Sequence, residues 1–433
     1  MTKTKAQQIM AATEARAADD VTAAIKDIAT EFEPYIIKQR RHFHKHPELS
    51  LAEERTTSDI ANQLDAMNIP YERPLKTGLV ATLRGTAPDA YREDGTPRRR
   101  ILLRADIDAL PVTEQTGEEF ASVNEGCMHA CGHDCHAAML LGAAKLLKEQ
   151  ESCLQGKVWL FFQAGEEILG GAKEALDDGL LEKTHADAAM MIHILSGSPI
   201  PAGSICFPAQ NGCYASADWY RIDVSGKGGH GAMPQNTISS VNTICAVNAG
   251  IQEIMSVGIE PAANAVMTVG ELHAGFAGSG NIIPDSAYLA GTIRTFDEGV
   301  REKIKASLIQ MADNTAAARG ANAKVTFSHS APIAWNDPQT RAFAFRSVQN
   351  LLGEQATLDL EQVLGGKFAL ISASEDFAYI SQKIPSAILL LAAGTPAEGY
   401  TAPGHNPKTN FNEDVLYIGS ACYAAVAMDR LKE

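Results

Sequence analysis

Residues 128–138, MHACGHDCHAA, concentrate the kinds of side chain that bind metals in proteins. The stretch holds three His, two Cys and one Asp within eleven residues. Thiolate, imidazole and carboxylate are the ligand types that zinc prefers. The segment that follows, AAMLLGAAKLLKE, has apolar residues at helical spacing. We therefore expect His133, Asp134 and His136 to lie in a loop and in the first turn of a helix, near one another.

Such a segment could belong to a structural zinc site or to a catalytic one. A closed structural site usually repeats a Cys-x-x-Cys or His-x-x-x-His pair. No second pair of this kind stands beside the segment in the sequence. The pattern therefore favours a metal centre that takes its other ligands from distant parts of the chain.

Further candidate ligands follow apolar, strand-like stretches. Glu166 and Glu167 come directly after KVWLFFQA, His193 lies in MIHI, and His405 lies in GHNPKTN. Paired carboxylates suit a division of labour in which one binds metal and the other moves protons. Each residue also has an ordinary interpretation. A lone His in an apolar strand is commonly a core residue, and a Glu pair in a loop is commonly solvated.

Other Cys and His residues have simpler interpretations. Cys127 and Cys135 are typical of small buried residues. His42, His44 and His46 in RRHFHKHPELS could form a metal tract, but alternate positions on a short helix or loop diverge. We interpret these three histidines as structural.

Composition limits the classes of function. A chain of 433 residues is too long for one ordinary domain, so two or three are expected. The net charge of −15 argues against nucleic acid or an anionic membrane as a partner. No apolar run approaches the roughly 18 residues that span a bilayer. The N-terminus lacks a secretory signal and is typical of an exposed helix. Eight Cys, three of them among histidines, suit a reducing compartment, so a cytoplasmic protein is expected.

Strand-like and helix-like stretches alternate from about residue 30. This order predicts a mostly parallel α/β sheet covered by helices, with ligands bound at the carboxyl ends of its strands. The sheet domain should resume near residue 332. The predicted strands of this domain are GLVATLRG (78–85), ILLRADIDAL (101–110), KVWLFFQA (157–164), ADAAMMIHIL (186–195) and SAILLLAAG (386–394).

Residues 218–330 show a different order, β-α-β-β-α-β, which is that of a ferredoxin-like α+β unit. Asp297 is the expected N-cap of its second helix, which has apolar residues at 300, 304, 308 and 311. We interpret this unit as an insertion into the first domain. The predicted domains are an N-terminal helical extension (1–30), a catalytic metal-binding domain (31–217 and 331–433) and the inserted domain (218–330).

With these stretches in place, the chain resembles the amidohydrolase branch of the co-catalytic metallopeptidases. That branch includes hippurate hydrolases, indole-acetyl-amino-acid hydrolases, N-acetyl-diaminopimelate deacetylases and bacterial aminoacylases. The resemblance runs from about residue 35 to the C-terminus. The matching motifs, in the family's order, are RRHFHKHPELSLAEERT, LLRADIDALPVTEQTG, MHACGHDCHAAMLLGAAKLL, FFQAGEEILGGAKEALDDGLL, GKGGHGAMP, GNIIPDSAYLAGTIRTF, SEDFAYI and GHNPKTNFNED.

The resemblance implies a centre of two divalent metal ions. Glu166 would be the general base. Asp106 would not bind metal itself but would orient one of the metal ligands. Zinc or manganese is the expected metal, with cobalt and nickel as alternatives. The implied ligands are Cys131, His133, Glu167, His193 and His405.

For the inserted domain, the resemblance implies a lid and dimerisation role in a homodimer. His230, in GGHGAMP, would reach the partner subunit's active site and steady the oxyanion. Asn281 and Arg294 would hold the carboxylate of the substrate, which a guanidinium can meet with two hydrogen bonds. From the residues alone, His230 could instead cap a Gly-rich turn, and Arg294 could pair with a local acid.

The implied activity is hydrolysis of the amide bond of an N-acyl amino acid, which releases a carboxylic acid and a free amino acid. A dipeptidase or carboxypeptidase of the same fold is one alternative, and a catalytically silent acyl-amino-acid binding protein is another. The sequence departs from the family's motifs at Ala164-Gly165, Gln235 and Thr409. These departures leave the acyl group and the amino acid open.

Overall fold

The computed structural model describes residues 19–365 and 369–433 of the chain. Most of the predicted N-terminal exposed helix, residues 1–21, lies outside these ranges. The first described helix runs from Asp19 to Glu31. Its residues Ile25 and Ile28 are buried in the main hydrophobic core. The chain from residue 25 onward therefore contributes to the core.

The helices and strands follow one another in three stretches of chain. The N-terminal stretch contains α1 (Asp19–Glu31), α2 (Glu33–Lys45), α3 (Glu54–Ala66), β1 (Tyr71–Glu72), β2 (Leu79–Arg84), β3 (Arg100–Asp106), α4 (His133–Glu149), β4 (Lys157–Gln163), α5 (Gly171–Asp177), α6 (Leu180–Thr184), β5 (Ala188–Leu195) and β6 (Ile205–Phe207). The middle stretch contains β7 (Asn211–Tyr214), β8 (Ser216–Ser225), β9 (Gly229–His230), α7 (Ser240–Glu253), β10 (Ala265–Ala274), β11 (Ile282–Ile283), β12 (Ser286–Thr295), α8 (Glu298–Ala317) and β13 (Asn322–Ala331). The C-terminal stretch contains β14 (Ala334–Asn336), α9 (Pro338–Leu352), β15 (Thr357–Asp359), α10 (Leu360–Leu364), α11 (Ala378–Ser381), β16 (Ser386–Ala392) and α12 (Leu416–Lys432).

The chain forms two compact units. The predicted insertion, 218–330, lies within the second unit, which also takes in a later segment, 370–378. The sequence alone places that segment with the catalytic domain. Its Ile371 accepts a hydrogen bond from Ala215 N (3.0 Å) and donates one to Cys213 O (2.8 Å). The first unit comprises the chain up to Asn211, Trp335–Ala369 and Tyr379–Glu433, and the second comprises Gly212–Ala334 and Leu370–Ala378.

The first unit contains an eight-stranded sheet in the order β1-β2-β4-β3-β5-β16-β6-β15. Its central strands β4, β3, β5 and β16 are parallel, which confirms the predicted mostly parallel sheet. Asp106 at the end of β3 pairs with Gln163 at the end of β4. The loops that follow these two strands therefore start side by side at the carboxyl ends of the strands, where ligands bind in such folds.

Helix α4 is buried along almost its whole length. The predicted apolar positions are buried, and so are the polar residues of its first turn, His133, Asp134 and His136. Helices α2 and α12 pack against it, and Ser420 of α12 donates a hydrogen bond to Met139 O (2.8 Å). Because neighbours cover the helix on several sides, its N-terminal polar groups depend on protein partners rather than on water.

The second unit has an antiparallel sheet in the order β10-β12-β8-β13, with α7 and α8 packed against it. Its element order is the predicted β-α-β-β-α-β. Asp297 caps α8 as expected, since its Oδ1 accepts a hydrogen bond from Val300 N (2.8 Å). Ile304 and Leu308 of α8 are fully buried in the core of this unit.

Across residues 19–365 and 369–433, we find no helix with the length and apolar character that a membrane crossing requires.

Candidate metal centre

Cys131 and His133 lie at the tight entry to α4. Gly132 between them is the N-cap residue and has φ 92°, a left-handed conformation that favours glycine. A Cβ atom there would also collide with the side chains of Ile194 and Phe411. This turn brings Cys131 Sγ to 3.6 Å from Nε2 of His193, which lies on β5.

Glu166 and Glu167 follow β4 in a loop that begins at Gly165, where φ is 69°. His133 Nε2 lies 3.9 Å from Glu166 Oε2 and 3.8 Å from Glu167 Oε1. The two carboxylates that the sequence singled out therefore meet the imidazole at the start of α4.

His405 reaches the same place from the C-terminal part of the chain. Its backbone has φ 66°, and its N–H donates to Ala130 O (2.8 Å). Its Nε2 lies 3.7 Å from Glu167 Oε2, and 58% of its side chain is exposed. Within each of three overlapping groups, the ligand atoms lie within 4.8 Å of one another: Cys131, His133 and His193; Cys131, Glu167 and His405; and His133, Glu166 and Glu167.

Two buried atoms in these groups fit a bound cation. His133 Nε2 and Glu167 Oε1 have no hydrogen-bond partner within residues 19–365 and 369–433. A buried polar atom without a partner normally costs about 1–3 kcal/mol. A cation would satisfy both atoms, and the sulfur, nitrogen and oxygen donors are those of a transition-metal site. The overlapping groups are consistent with two divalent ions.

Burial also changes the acidity of the donors. It raises the pKa of Glu167 to about 7. It raises the pKa of the Cys131 thiol as well. Both groups coordinate in their ionised form, and a nearby cation lowers the pKa of such ligands. A bound cation would therefore favour the charged forms of both donors, which burial disfavours.

Asp106 contacts the centre through a second histidine. Its Oδ1 accepts a hydrogen bond from His136 Nδ1 (2.5 Å), and Arg104 Nη1 donates to its Oδ2 (2.7 Å). Burial opposes ionisation, but the Arg104 guanidinium and the neighbouring imidazoles hold the pKa of Asp106 well below its usual range. Burial lowers the pKa of His136 to about 4, so its Nε2 can accept a hydrogen bond from Ile194 N (2.8 Å). Asp106 thus supports the backbone next to His193.

Asp108 is a residue that sequence reasoning missed. Its Oδ1 lies 3.1 Å from His133 Nδ1, and its Oδ2 accepts hydrogen bonds from Glu167 N (3.0 Å) and Ser50 Oγ (2.7 Å). A carboxylate at Nδ1 keeps the proton there and leaves Nε2 for a metal. The available signal was the second Asp of RADIDALP, two residues after Asp106.

Two of the three alternating histidines, His42 and His44, form polar contacts with carboxylates. His42 Nε2 lies 2.8 Å from Asp59 Oδ2, and His44 Nδ1 lies 2.8 Å from Asp134 Oδ2. His46 is the C-cap of α2. Within the part of the chain that the structure describes, none of the three belongs to a candidate metal group.

In the second unit, the structure brings together His230 and Asn281. Strand β9 pairs with β11 so that Ile282 is opposite His230, and Gly231 N donates to Asn281 O (2.8 Å). His230 and Asn281 are exposed. Ala232 N donates to His230 Nδ1 (3.1 Å), which leaves Nε2 to carry the proton in the neutral ring. The exposed His230 ring can therefore donate a hydrogen bond from Nε2.

Arg294 lies on β12 and is half-buried. Its Nη1 donates to Ser374 Oγ (2.8 Å) and to Ser372 O (3.2 Å). Burial lowers the pKa of the guanidinium. Among the described residues, no acidic side chain forms an ion pair with Arg294, so its partners are serine oxygens rather than a local acid.

Comparison with known proteins gives a family match. The model of the family described as peptidase family M20/M25/M40 matches residues 102–429. This range contains the candidate metal ligands and the whole second unit. The family match therefore covers the candidate metal centre as well as most of the fold around it.

Curated relatives and a solved structure agree with the family match. The chain is 35% identical over 402 residues to an N-acetylcysteine deacetylase of Bacillus subtilis, covering 92% of this chain and 97% of the relative. It is 34% identical over 415 residues to thermostable carboxypeptidase 1 of Saccharolobus solfataricus, covering 94% and 98%. The crystal structure of the Bacillus subtilis YXEP protein, described as a dinuclear metal binding peptidase from the M20 family, matches with a TM-score of 0.74. That match has 31% identity and covers 93% of this chain and 99% of the other.

Proposed function

The chain belongs to peptidase family M20/M25/M40, and from this membership we propose that it is a metal-dependent amidohydrolase of N-acyl amino acids. It cleaves the amide bond and releases a carboxylic acid and a free amino acid. The observation that carries the proposal is that two buried atoms beside Glu166, His133 Nε2 and Glu167 Oε1, have no hydrogen-bond partner among the described residues. The similarity to an N-acetylcysteine deacetylase supports the choice of substrate class.

The centre holds two divalent metal ions, and zinc or manganese is the metal we propose. Cobalt and nickel are alternatives, because the order of affinities alone does not decide which metal a cell supplies. The mixture of sulfur, nitrogen and oxygen donors supports this assignment. The proposed ligands are Cys131, His133, Glu167, His193 and His405.

Glu166 is the proposed general base and then the general acid. When bound, the metal ions supply positive charge that polarises the amide carbonyl and acidifies water. The Glu166 carboxylate takes a proton from the attacking water and passes it to the leaving amine nitrogen. Glu166 is 6% exposed, so bulk water competes little for this proton. Asp108 and Asp106 hold the surrounding ligands in place through the hydrogen bonds described above.

We propose that the second unit serves as the lid and dimerisation domain of a homodimer. Strand β10 is an edge of its sheet, and Val266, Leu272 and the nearby Phe276 expose apolar side chains. An exposed sheet edge can supply the self-complementary contact of a two-fold dimer. His230 of one subunit would then donate a hydrogen bond to the developing oxyanion in the other subunit.

Asn281 and Arg294 are the proposed binding residues for the carboxylate of the substrate. A guanidinium and an amide can both donate hydrogen bonds to carboxylate oxygens. The hydrogen bonds of Arg294 go to neutral serine oxygens, so its charge remains available for an anion. The partner of the protein is accordingly a small molecule rather than nucleic acid or membrane.

The proposed location is the cytoplasm. All eight cysteines are free thiols in the structure. Free thiols and a proposed thiolate ligand suit a reducing compartment.

A carboxypeptidase or dipeptidase is the second candidate activity, because thermostable carboxypeptidase 1 is also a relative. One experiment separates the two. The metal-loaded protein is incubated with N-acetyl, N-benzoyl and indole-acetyl amino acids and with dipeptides, and released amino acid is measured. We expect release from the acyl amino acids. Release from dipeptides alone would favour a peptidase, and release from none would favour a silent binding protein.

We expect Cys131→Ser to lower metal content and activity together. A hydroxyl is a poor substitute for a thiolate ligand. Metal content is measured by elemental analysis of the dialysed protein. Cys127→Ser is the matched control, since Cys127 lies directly before the stretch 128–138, is buried, and belongs to no candidate metal group among the described residues. If Cys131→Ser keeps full metal content, unchanged metal preference and full activity, Cys131 is merely a buried residue.

A further inference from the structure

The segment 40–53, RRHFHKHPELSLAE, contains none of the proposed metal ligands. Its side chains nevertheless form hydrogen bonds and an ion pair with the chain segments that carry His133 and Glu167. We propose that this segment is a positioning element for the metal centre and that Arg40, Ser50 and Glu53 are its positioning residues. The inference rests on the proposed function, because it assigns these side chains to the same centre. Each residue contacts a different part of the centre.

Arg40 holds the first turn of α4. Its Nε lies 2.9 Å from Asp134 Oδ2, and both side chains are fully buried. His44 Nδ1 lies 2.8 Å from the same carboxylate oxygen. Asp134 directly follows His133 in the chain. The two contacts therefore fix helix α2 against the turn that presents His133.

Ser50 holds the carboxylate that connects two proposed ligands. Its hydroxyl donates to Asp108 Oδ2 (2.7 Å). The same oxygen accepts the N–H of Glu167, and the other oxygen meets His133 Nδ1. Because one carboxylate serves both ligands, a change in its orientation would displace both.

Glu53 holds the loop that carries Glu166 and Glu167. Its Oε1 accepts a hydrogen bond from Gly165 N (2.9 Å), the residue before Glu166. Gly165 has φ 69°, and a Cβ atom there would lie 2.8 Å from Leu51 Cδ2. Glu53 and Leu51 thus contact this turn from the same segment.

Glu48 offers a matched control within the segment. Its carboxylate accepts hydrogen bonds from Thr56 N (2.8 Å), Thr56 Oγ1 (2.9 Å) and Arg55 N (3.1 Å). These contacts fix the start of α3. Loss of Glu48 should therefore lower stability without reorienting a metal ligand.

The test measures the affinity of the metal-free protein for Mn²⁺ alone, by competition with a chelator, together with the thermal unfolding midpoint of the metal-free protein. Loss of an outer hydrogen-bond partner typically weakens metal binding or activity 10–100-fold. We therefore expect Ser50→Ala and Glu53→Ala each to weaken Mn²⁺ binding about tenfold or more. Glu48→Ala should lower the midpoint and leave the affinity unchanged. Glu53→Gln should retain near-normal affinity, because its amide oxygen can still accept from Gly165 N.

Wild-type affinity in both Ser50→Ala and Glu53→Ala would overturn the proposal, and if Glu53→Ala does not fold, wild-type affinity in Ser50→Ala alone would overturn it. An equal loss in Glu48→Ala would also overturn it, because the effect would then follow general stability. The readout requires no substrate. If the wild-type protein hydrolyses no acyl amino acid but Ser50→Ala binds Mn²⁺ more weakly, only the proposed activity is refuted. If the wild-type protein hydrolyses an acyl amino acid but Ser50→Ala binds Mn²⁺ normally, only the positioning role is refuted.

Discussion

Replacing the carboxylate of Glu166 with an amide is expected to lower turnover at least about a hundredfold, the usual scale of general-base catalysis. Glu166→Gln keeps the size of the side chain but removes its ability to accept a proton. The metal content should stay at the wild-type level, because the proposed ligands are unchanged. Turnover is measured on an N-acyl amino acid that the wild-type protein hydrolyses, and metal content is measured on the same sample.

The matched comparison is Glu167→Gln. Glu167 is the neighbouring residue and the proposed ligand, with Oε2 3.7 Å from His405 Nε2. This variant should lose metal and activity together. Near-normal turnover in Glu166→Gln would remove Glu166 from the role of base, and parallel loss of metal in both variants would make it a ligand instead.

The parallel sheet and its loops were predictable from the sequence because their signals are local. KVWLFFQA and ADAAMMIHIL form β4 and β5 close to the predicted limits. Since parallel strands direct their carboxyl ends to one side of the sheet, the positions of Glu166 after β4 and of His193 within β5 were enough to predict that both lie on strands of that sheet or in the loops that follow them.

The contacts behind the candidate ligands were not predictable in the same way. Asp106 is the last residue of β3 and Asp108 lies two residues beyond it. Nothing in RADIDALP indicates that Asp106 bonds to His136 and Asp108 to His133. That difference depends on how α4 enters the sheet at Gly132. Tertiary packing, rather than local pattern, sets these hydrogen bonds.

The full extent of the second unit also could not be predicted from the sequence. The segment 370–378 joins it through backbone hydrogen bonds with residues 213 and 215, more than a hundred positions earlier in the chain. Ser374 in that segment bonds to Arg294. The periodicity of a helix or strand carries no information about hydrogen bonds between residues far apart in the chain. The sequence therefore could not identify Ser374 as the hydrogen-bond partner of Arg294.

His230→Ala is expected to be nearly inactive while both metals remain bound. All proposed ligands lie in the first unit, whereas His230 lies in the second, so its loss should leave metal content unchanged. The ring carries its proton on Nε2 and can donate to an oxyanion, and removal of one such donor typically costs about 10²–10³ in turnover. Activity is measured with metal analysis on the same sample, and sedimentation gives the oligomeric state, which we expect to be a homodimer.

Mixing His230→Ala with Glu166→Gln tests whether His230 acts across the dimer. The hybrid has one site with an intact Glu166 and an intact His230 from the partner subunit, so random exchange should restore about a quarter of wild-type activity. The control mixes wild-type protein with the double variant Glu166→Gln/His230→Ala, whose hybrids have no complete site if His230 acts in trans. If subunit exchange is demonstrated and the two single variants regain nothing, His230 acts within its own chain or has no catalytic role. Hybrids of the control mixture with half the wild-type activity would then identify action within one chain, because the wild-type subunit would carry its own complete site.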